Sequence, residues 1–399
     1  MRLPVLFLLI TVMLDAMGIG LIMPIMPDLI REVQGGTLAD AALWGGVLAT
    51  AFAVMQFLFS PAIGNLSDFY GRRPVLLVSL FVMALDYLVM ALAGSIWLLI
   101  LGRVVGGITA ATHATANAYM ADISKPADKA ANFALIGAGF GVGFVLGPLI
   151  GGLLGELGTR APFYTAAILA SLNFVFGWFV LGETVTDRIR RPFNPKRANP
   201  FVSFQSIARL PGIRPLLLVY FTYSVALYVY PAIWPYFAQA RFGWSPQMVG
   251  FSLALFGIGM AVVQGAMMRP VLRWLGERRT VIWGQLFDFG TFGVLAVVTN
   301  GTLALILTPL SALGAVVSPA LQGIMSQMVD DDAQGELQGI LTSVHALSVI
   351  VSPLLMTSVF ALFTREGTPL YLPGAPFMVS MLLVVIGVVV FARHHRPGD

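Results

Sequence analysis

The stretch TVMLDAMGIGLIMPIMP, residues 11–27, carries a single formal charge, at Asp15. It belongs to an apolar run that begins at Leu3 and is long enough to cross a hydrocarbon layer of about 30 Å as a helix. No small-residue cleavage site follows, and equally long runs recur to the C-terminus, so the run is predicted to be a membrane span and not a removable signal peptide. A lone carboxylate in such a span is costly unless it has a partner or a function.

The composition predicts that most of the chain faces lipid. The 399 residues are 58% hydrophobic and 11% charged, whereas soluble domains carry about 25% charged residues. Cysteine is absent, which excludes disulfides and thiolate metal sites, and the four histidines lack the spacing of a metal site. We therefore expect an all-α integral membrane protein without a cofactor.

Twelve apolar runs have the length of membrane helices. Glycine and proline inside them are acceptable, because neighbouring helices can satisfy the backbone groups that they free. The predicted spans are approximately 3–27, 43–63, 74–94, 96–119, 130–155, 161–182, 213–238, 247–268, 280–299, 302–327, 337–363 and 371–392.

The basic residues of the loops alternate between the two sides. Eighteen of the 23 lysines and arginines fall on the side that holds both termini and the loops at 72–73, 125–129, 188–214 and 269–279. The positive-inside rule places that side in the cytoplasm. This asymmetry also explains the net charge of +4 without a nucleic-acid partner.

The two halves of the chain share weak echoes. Gly71 in FYGRRPVLL matches Gly276 in WLGERRTVI, and Pro148 matches Pro353, both at an offset of 205 residues. The sequence therefore predicts two six-helix bundles, residues 1–182 and 213–399, joined by a polar, proline-rich cytoplasmic linker at 183–212. Such repeats are typical of secondary transporters, whose site lies near the midplane between the halves.

Three acidic residues, Asp15, Asp86 and Asp288, fall inside spans. Asp86 lies about 18 Å and Asp288 about 12 Å from a span end at 1.5 Å per residue. A carboxylate costs at least ~2.5–3.5 kcal/mol at such depth, and burial favours its neutral form, which proton coupling requires. The alternative is a static pair with Arg103 or with a polar neighbour such as Gln285, but Arg103 can serve only one acid directly.

The cytoplasmic loop GNLSDFYGRRP, residues 64–74, holds a cluster of charge. Asp68 can accept from Arg72 or Arg73, and Gly71 permits close backbone approach. Such a cluster can latch one conformation of a rocking transporter. The alternative is a topological anchor of positive charge beside lipid headgroups.

Span 5 contains GVGFVLGPLIGG, residues 141–152. Gly143, Gly147 and Gly151 recur every four residues and therefore share a helix face, which permits close helix contact. Pro148 is expected to bend that face. A plain packing surface is the alternative to a role in gating.

These motifs resemble those of the major facilitator superfamily. The loop matches G-x-L-[ST]-D-R-x-G-R-R except at Phe69, where the family usually has a basic residue. Span 5 matches G-x-x-x-G-P-x-x-G-G, the antiporter motif, and Arg103 with Gly107 is similar to a motif linked with proton transfer. The resemblance implies two six-helix bundles, alternating access and exchange in preference to symport.

Within that superfamily the chain resembles the tetracycline efflux antiporters of Gram-negative bacteria. Similar stretches include LDAMGIGLIMPIMP (14–27), LGRVVGGIT (101–109) and RFGWSPQMVGFSLA (241–254). The resemblance implies that the acids at 15, 86 and 288 are functionally required and that Gln56 and Gln264 occupy polar positions of the site. It also implies export of tetracycline, chelated to a divalent cation such as magnesium, in exchange for protons.

Some positions depart from that branch. Met260 stands where the branch has a span 8 histidine implicated in proton coupling, and His113 replaces a glycine in span 4. His113 either substitutes for the lost histidine or bonds a helix neighbour. In span 7, Tyr228 and Trp234 belong to an aromatic cluster that either stacks on a planar substrate or packs internally.

The sequence thus predicts a proton-coupled drug antiporter of the bacterial inner membrane that functions as a monomer, with a small-molecule drug, protons and lipid as its partners. The runner-up is an antiporter of the same fold for another amphipathic drug or a native metabolite. A proton symporter and a substrate sensor remain further alternatives. An enzyme is not expected, because no nucleophile, base and metal constellation is present.

Overall fold

The computed structural model describes residues 3–394 except 111, 126–127, 187–189, 196–197, 203, 205–206 and 208–209. Parts of the predicted linker and of its basic cluster, together with both chain ends, therefore lie outside the described residues. All regular structure within them is helical. The α-helices are α1 Leu3–Ile22, α2 Met26–Gln34, α3 Leu38–Tyr70, α4 Arg72–Leu92, α5 Ile96–Thr109, α6 Thr112–Ile123, α7 Lys129–Gly155, α8 Ala161–Val180, α9 Arg214–Leu227, α10 Val229–Phe242, α11 Pro246–Val262, α12 Met268–Val297, α13 Gly301–Ser311, α14 Val317–Gln327, α15 Gln334–Thr364 and α16 Ala375–His394.

Eleven segments of the described chain are long and apolar enough to cross a membrane, against twelve predicted spans. The difference lies in the 52-residue segment Pro246–Val297, which contains predicted spans 8 and 9. Within it, Gly276 has φ 71° and ψ 164°, so the helix kinks there. Gly71, its partner in the sequence repeat, also has a positive φ, of 116°, and a residue with a side chain would be strained at either position.

Several of the apolar segments contain a break in the α-helix. Short 3₁₀ turns at Met23–Ile25 and Ala312–Val316 interrupt the first and tenth predicted spans, and Tyr228 separates α9 from α10. A π-helical turn, Val263–Met267, joins α11 to α12. Interrupted helices free backbone groups at membrane depth, which is where transporters place their sites.

The residues group into two compact units. Unit 1 comprises Met1–Gly35, Ala51–Pro200 and Ser245–Ala254, and unit 2 comprises Gly36–Thr50, Phe201–Trp244 and Leu255–Asp399. Each unit thus contains a short segment from the opposite half of the sequence. Residues 40–49 and 245–254 correspond at the repeat offset of 205, so the two exchanged segments are equivalent. The predicted bundle boundaries along the sequence stay a prediction.

In unit 1, α1 packs closely along the glycine face of α7. A methyl group added at Gly147 would lie 2.6 Å from the carbonyl oxygen of Met17, and Gly143 and Gly151 contact the carbonyl oxygens of the adjacent turns of α1. Small residues allow this backbone contact, whose dispersion energy holds membrane helices together. The carbonyl oxygen of Pro148 lies against Gly250 of the exchanged segment, so α7 also makes a close packing contact with a second partner.

Unit 2 has a similar contact between its exchanged segment and a proline carbonyl oxygen. Gly46 of its exchanged segment lies against the Thr357 side chain and the carbonyl oxygen of Pro353, the repeat partner of Pro148. The unit's core is aromatic: the Tyr230 ring lies within 6.3 Å, between centroids, of the rings of Trp234, Phe256, Phe292 and Phe377.

Two arginines on the predicted outer side cap helix C-termini. Arg160 donates to the carbonyl oxygens of Ala91 (2.7 Å) and Ala93 (2.9 Å) at the end of α4. Arg241 donates to those of Val298 (2.8 Å) and Val297 (3.0 Å) at the end of α12. A cation at a helix C-terminus is stabilised by the helix dipole, which accounts for these exceptions to the charge asymmetry.

Candidate functional site

A cavity of about 70 Å³ inside unit 1 brings together four of the predicted site residues. Asp15 reaches it from α1, Gln56 from α3, Asp86 from α4 and Arg103 from α5. The Gln56 amide also donates to the carbonyl oxygen of Ala110, at the break between α5 and α6 (3.3 Å). Residues separated by up to 88 positions thus form one polar pocket in an otherwise apolar bundle.

Asp86 and Arg103 form a buried ion pair. Arg103 Nη2 donates to Asp86 Oδ2 at 2.9 Å, and the two side chains are 14% and 5% exposed, respectively. The same nitrogen lies 2.6 Å from the Met90 sulfur, and the guanidinium group lies 5.3 Å from the centroid of the Phe52 ring. A cation–π contact of this kind is stronger where water is excluded. Arg103 is therefore committed to Asp86, and the other two buried acids have to be compensated differently.

Glycines of α5 make room for the Asp86 carboxylate. A methyl group at Gly102 would lie 2.6 Å from Asp86 Oδ1, and one at Gly106 would lie 2.7 Å from Oδ2. These residues are four apart on one helix face. The spacing of the two glycines is visible in the sequence. Their role could not be predicted from it, because the sequence does not show which acid lies opposite them.

Asp15 is half-buried and faces the same cavity. Within the described residues, its carboxylate has neither a hydrogen bond nor an ion pair. Beside it, the hydroxyl group of Tyr87 packs against Gly18, one turn along α1. Asp15 is thus the acid of this cavity that is open to a ligand.

Asp288 lies in unit 2 and is fully buried, with 0% of its surface exposed. The Tyr223 hydroxyl oxygen lies 2.7 Å from Asp288 Oδ2 and 2.6 Å from the carbonyl oxygen of Gly314. Both carboxyl oxygens lie against the Cα of Gly314, where any side chain would overlap them. Among the described residues, Asp288 Oδ1 has no hydrogen-bond partner and neither has the amide of Gln285, so the partner of Asp288 is Tyr223 and not Gln285.

The remaining predicted residues lie apart from these two acid clusters. His113 does not line the unit 1 cavity; its ring packs edge-on against Phe140 at 5.5 Å. Trp234 is 1% exposed inside the aromatic core of unit 2, which favours packing over substrate stacking in this conformation. Tyr228 is half-buried at the break between α9 and α10, and Gln264 is exposed in the π-helical turn.

The predicted latch residues form a charge cluster within unit 1. Arg72 Nη1 lies 2.5 Å from Asp68 Oδ1, and its Nε lies 3.3 Å from Asp122 Oδ2. Arg73 points elsewhere: it donates to the carbonyl oxygen of Trp178 (3.0 Å) and lies over that indole ring. The structure therefore places Asp68 and Arg72 together and gives Arg73 a separate anchoring contact.

Glu183 completes this cluster and was not anticipated from the sequence. Its carboxylate accepts from the backbone N–H groups of Arg72 (2.9 Å) and Arg73 (3.3 Å) at the N-terminus of α4. It packs against Gly71, where a side chain would overlap it. A carboxylate at a helix N-terminus is stabilised by the helix dipole. The start of the linker is thereby fastened to the loop between α3 and α4.

The family comparison agrees with this architecture. The model of the Major Facilitator Superfamily matches residues 8–230 and 216–399. The structure of the nucleoside transporter NupG superposes with a TM-score of 0.78 at 13% identity, covering 100% of both chains, and this likeness concerns the fold alone.

Two curated relatives are similar over nearly the whole chain. The class C tetracycline resistance protein of Escherichia coli is 42% identical over 351 residues, covering 88% of each chain. The class E tetracycline resistance protein of Escherichia coli is 38% identical over 399 residues, covering 99% of this chain and 95% of the relative.

The predicted resemblance is thereby confirmed, as is the prediction of a transporter in place of an enzyme. The all-helical fold, the apolar spans and the two matches to one family model converge. The chain is a multi-pass membrane protein that belongs to the Major Facilitator Superfamily and is related within it to the tetracycline resistance proteins.

Proposed function

We propose that this protein is a proton-coupled drug efflux antiporter that exports tetracycline-like compounds, as chelates of a divalent cation such as magnesium, by alternating access. The observation that carries the proposal is the cavity that unites Asp15, Gln56, Asp86 and Arg103 in a relative of the tetracycline resistance proteins. Its polar groups lie at membrane depth, where they persist only with a function or a partner.

The three acids have different surroundings, which supports a different role for each. Asp86 is neutralised by Arg103, whereas Asp15 faces the cavity without a counter-charge among the described residues. We assign Asp15 to the cation of the chelate and Asp288, which is fully buried and has no cation partner among the described residues, to the proton. Drug sites are about 300–1,000 Å³, so a cavity of about 70 Å³ accommodates a cation with its water or one edge of the drug.

The proposal includes the finer architecture expected from the sequence. The kink at Gly276 separates the longest apolar segment into two spans, which gives twelve in all. With the basic loops inside, both termini lie in the cytoplasm of a bacterium, and the protein resides in the inner membrane and acts as a monomer. Asp68 and Arg72 latch the cytoplasmic side, and Gly143, Gly147 and Pro148 form a gating surface on α7.

The second candidate is an antiporter of the same fold for a different amphipathic drug or a native metabolite. Met260, half-buried in α11, replaces a histidine that the tetracycline branch uses, and His113 lies outside the unit 1 cavity that would need it. The burial of Trp234 removes one aromatic surface from substrate contact. These departures concern the identity of the transported compound and its coupling to protons, and not the fold.

Inverted membrane vesicles test the proposal directly. An imposed proton gradient should drive uptake of tetracycline in the presence of Mg²⁺, and added tetracycline with Mg²⁺ should release protons. Asp15→Asn and Asp288→Asn should each abolish this exchange, whereas Asp330→Asn, at an exposed loop acid, should leave it at the wild-type rate.

Two outcomes contradict the proposal. If both Asn variants exchange normally, the coupling assignment is wrong. If the wild-type protein confers no tetracycline tolerance on a pump-deficient host but protects it from another amphipathic drug, the second candidate replaces the first.

A further inference from the structure

The Tyr223 hydroxyl group has one proton and two acceptors within hydrogen-bond distance. It lies 2.7 Å from Asp288 Oδ2 and 2.6 Å from the carbonyl oxygen of Gly314. The Gly314 carbonyl can only accept. Two hydrogen bonds of this length around one hydroxyl oxygen therefore require a second proton, and the carboxyl group of Asp288 is the one neighbour that can carry it.

The geometry thus fits a neutral Asp288. Its O–H group donates to the Tyr223 oxygen, and the Tyr223 O–H group donates to Gly314. Gly314 lies in the 3₁₀ turn Ala312–Val316, and its carbonyl oxygen also accepts from the backbone N–H of Val317, so the tyrosine occupies its second lone pair.

No described residue other than Tyr223 forms a hydrogen bond to the Asp288 carboxyl group. Among the described residues, the titratable groups that face this carboxyl group are the phenols Tyr223 and Tyr230, and no ion pair involves Asp288. The amide of Gln285, one turn away on α12, makes no hydrogen bond to it. Of these two phenols, Tyr223 is the one whose hydroxyl lies within hydrogen-bond distance of Asp288. When Asp288 loses its proton, the Tyr223 O–H group can therefore rotate from Gly314 to the carboxylate.

We propose that Tyr223 is a positioning residue for proton exchange at Asp288, donating to Gly314 while Asp288 is neutral and to the carboxylate once the proton has left. The proposal rests on the proposed proton antiport. The tyrosine keeps its own proton throughout, and the proton of Asp288 passes to solvent when the transport cycle exposes it. The hydroxyl thus stabilises the carboxylate at a site where, among the described residues, no cation pairs with it.

Infrared titration of the purified protein in detergent, without drug, tests this. The C=O stretching band of a protonated carboxylic acid that is absent in Asp288→Asn belongs to Asp288. In Tyr223→Phe, that band should change frequency, because its O–H group loses its acceptor. Its titration midpoint should move to higher pH by about one unit or more, because a hydrogen bond to a charged group is lost. Tyr220→Phe, one turn away with its hydroxyl near Gln322, is the matched control and should change neither.

Transport then separates a positioning role from a structural one. Tyr223→Phe should shift the pH profile of proton-driven tetracycline–Mg²⁺ uptake in the same direction, while counterflow of tetracycline–Mg²⁺, which needs no net proton movement, continues. An unchanged band and midpoint in Tyr223→Phe overturn the proposal. So does a loss of counterflow at normal protein abundance, which would place Tyr223 in the drug site. If the wild-type protein does not exchange tetracycline for protons, the proposed function fails, but the infrared result still decides the role of Tyr223.

Discussion

The ion pair between Asp86 and Arg103 allows a quantitative test of whether the charges in the unit 1 cavity contribute to the stability of the protein, to its transport activity, or to both. The pair has one nitrogen–oxygen contact, at 2.9 Å, and Asp86 Oδ1 and Arg103 Nε have no partner among the described residues. Removing one member of a buried pair costs about 3–5 kcal/mol, because the other charge is left uncompensated. With a single contact and 14% exposure of Arg103, we expect the lower end, about 3 kcal/mol, for Asp86→Asn and for Arg103→Leu.

The double variant Asp86→Asn, Arg103→Leu removes both charges. Because buried pairs can often be replaced by neutral residues at little cost, the double variant should lose less stability than either single variant. The coupling energy of the cycle should then exceed about 3 kcal/mol in magnitude. SDS titration of purified protein in mixed micelles, followed by tryptophan fluorescence, measures the change in the free energy of unfolding for each of the three variants.

In the double variant, transport activity should be lost even though stability is largely kept. If the pair has a function in the cavity, the double variant should remain folded but fail to exchange tetracycline–Mg²⁺ for protons in inverted vesicles. Additive losses of stability, within about 0.5 kcal/mol, would show that the two side chains do not interact. Normal exchange by the double variant would show that the pair is only structural.

Glycine substitutions with matched controls test the two close contacts. Gly314→Ala should abolish proton-driven uptake and cost about 1–3 kcal/mol in the same SDS titration, because its methyl group overlaps the Asp288 carboxyl group. Gly290→Ala, with open space around it, should change neither uptake nor stability. If it has the same effects as Gly314→Ala, overlap with the Asp288 carboxyl group is not their cause. Gly147→Ala should destabilise the protein by a similar amount, because its methyl group would lie 2.6 Å from a carbonyl oxygen of α1. Gly141→Ala on the same helix meets nothing within 4 Å and should be neutral; if it is as destabilising as Gly147→Ala, helix packing is not the cause.

The features that follow from local sequence could be predicted. Apolar runs of membrane length locate the helices, and the acids inside them stand out because a charge there is expensive. The repeat offset derived from Gly71 and Gly276 reappears as two glycines with positive φ. The segment Pro246–Val297 shows the limit of the approach, since a kink in place of a loop separates spans that the sequence treats as distinct.

Arg103 could be named as a possible partner of one acid, but which acid has which partner could not be predicted, because that depends on which helix faces lie opposite each other. Asp86 and Arg103 are 17 residues apart across a hairpin, but Tyr223 and Asp288 are 65 residues apart and Gly314 comes from a third element. Tyr223 is one of many aromatic residues in its span and carries no local signal of a role. Glu183 is 111 residues from the backbone N–H of Arg72, to which it bonds.

The exchanged segments have a consequence for biosynthesis. When the ribosome has delivered residues 1–200, unit 1 still lacks Ser245–Ala254, and the surface of α7 around Pro148 and Gly152 awaits Gly250. Unit 2, in turn, needs Gly36–Thr50, which enters the membrane long before the rest of it. Neither half is self-sufficient, so a chain cut in the linker should yield fragments that mature only when both are made in the same cell.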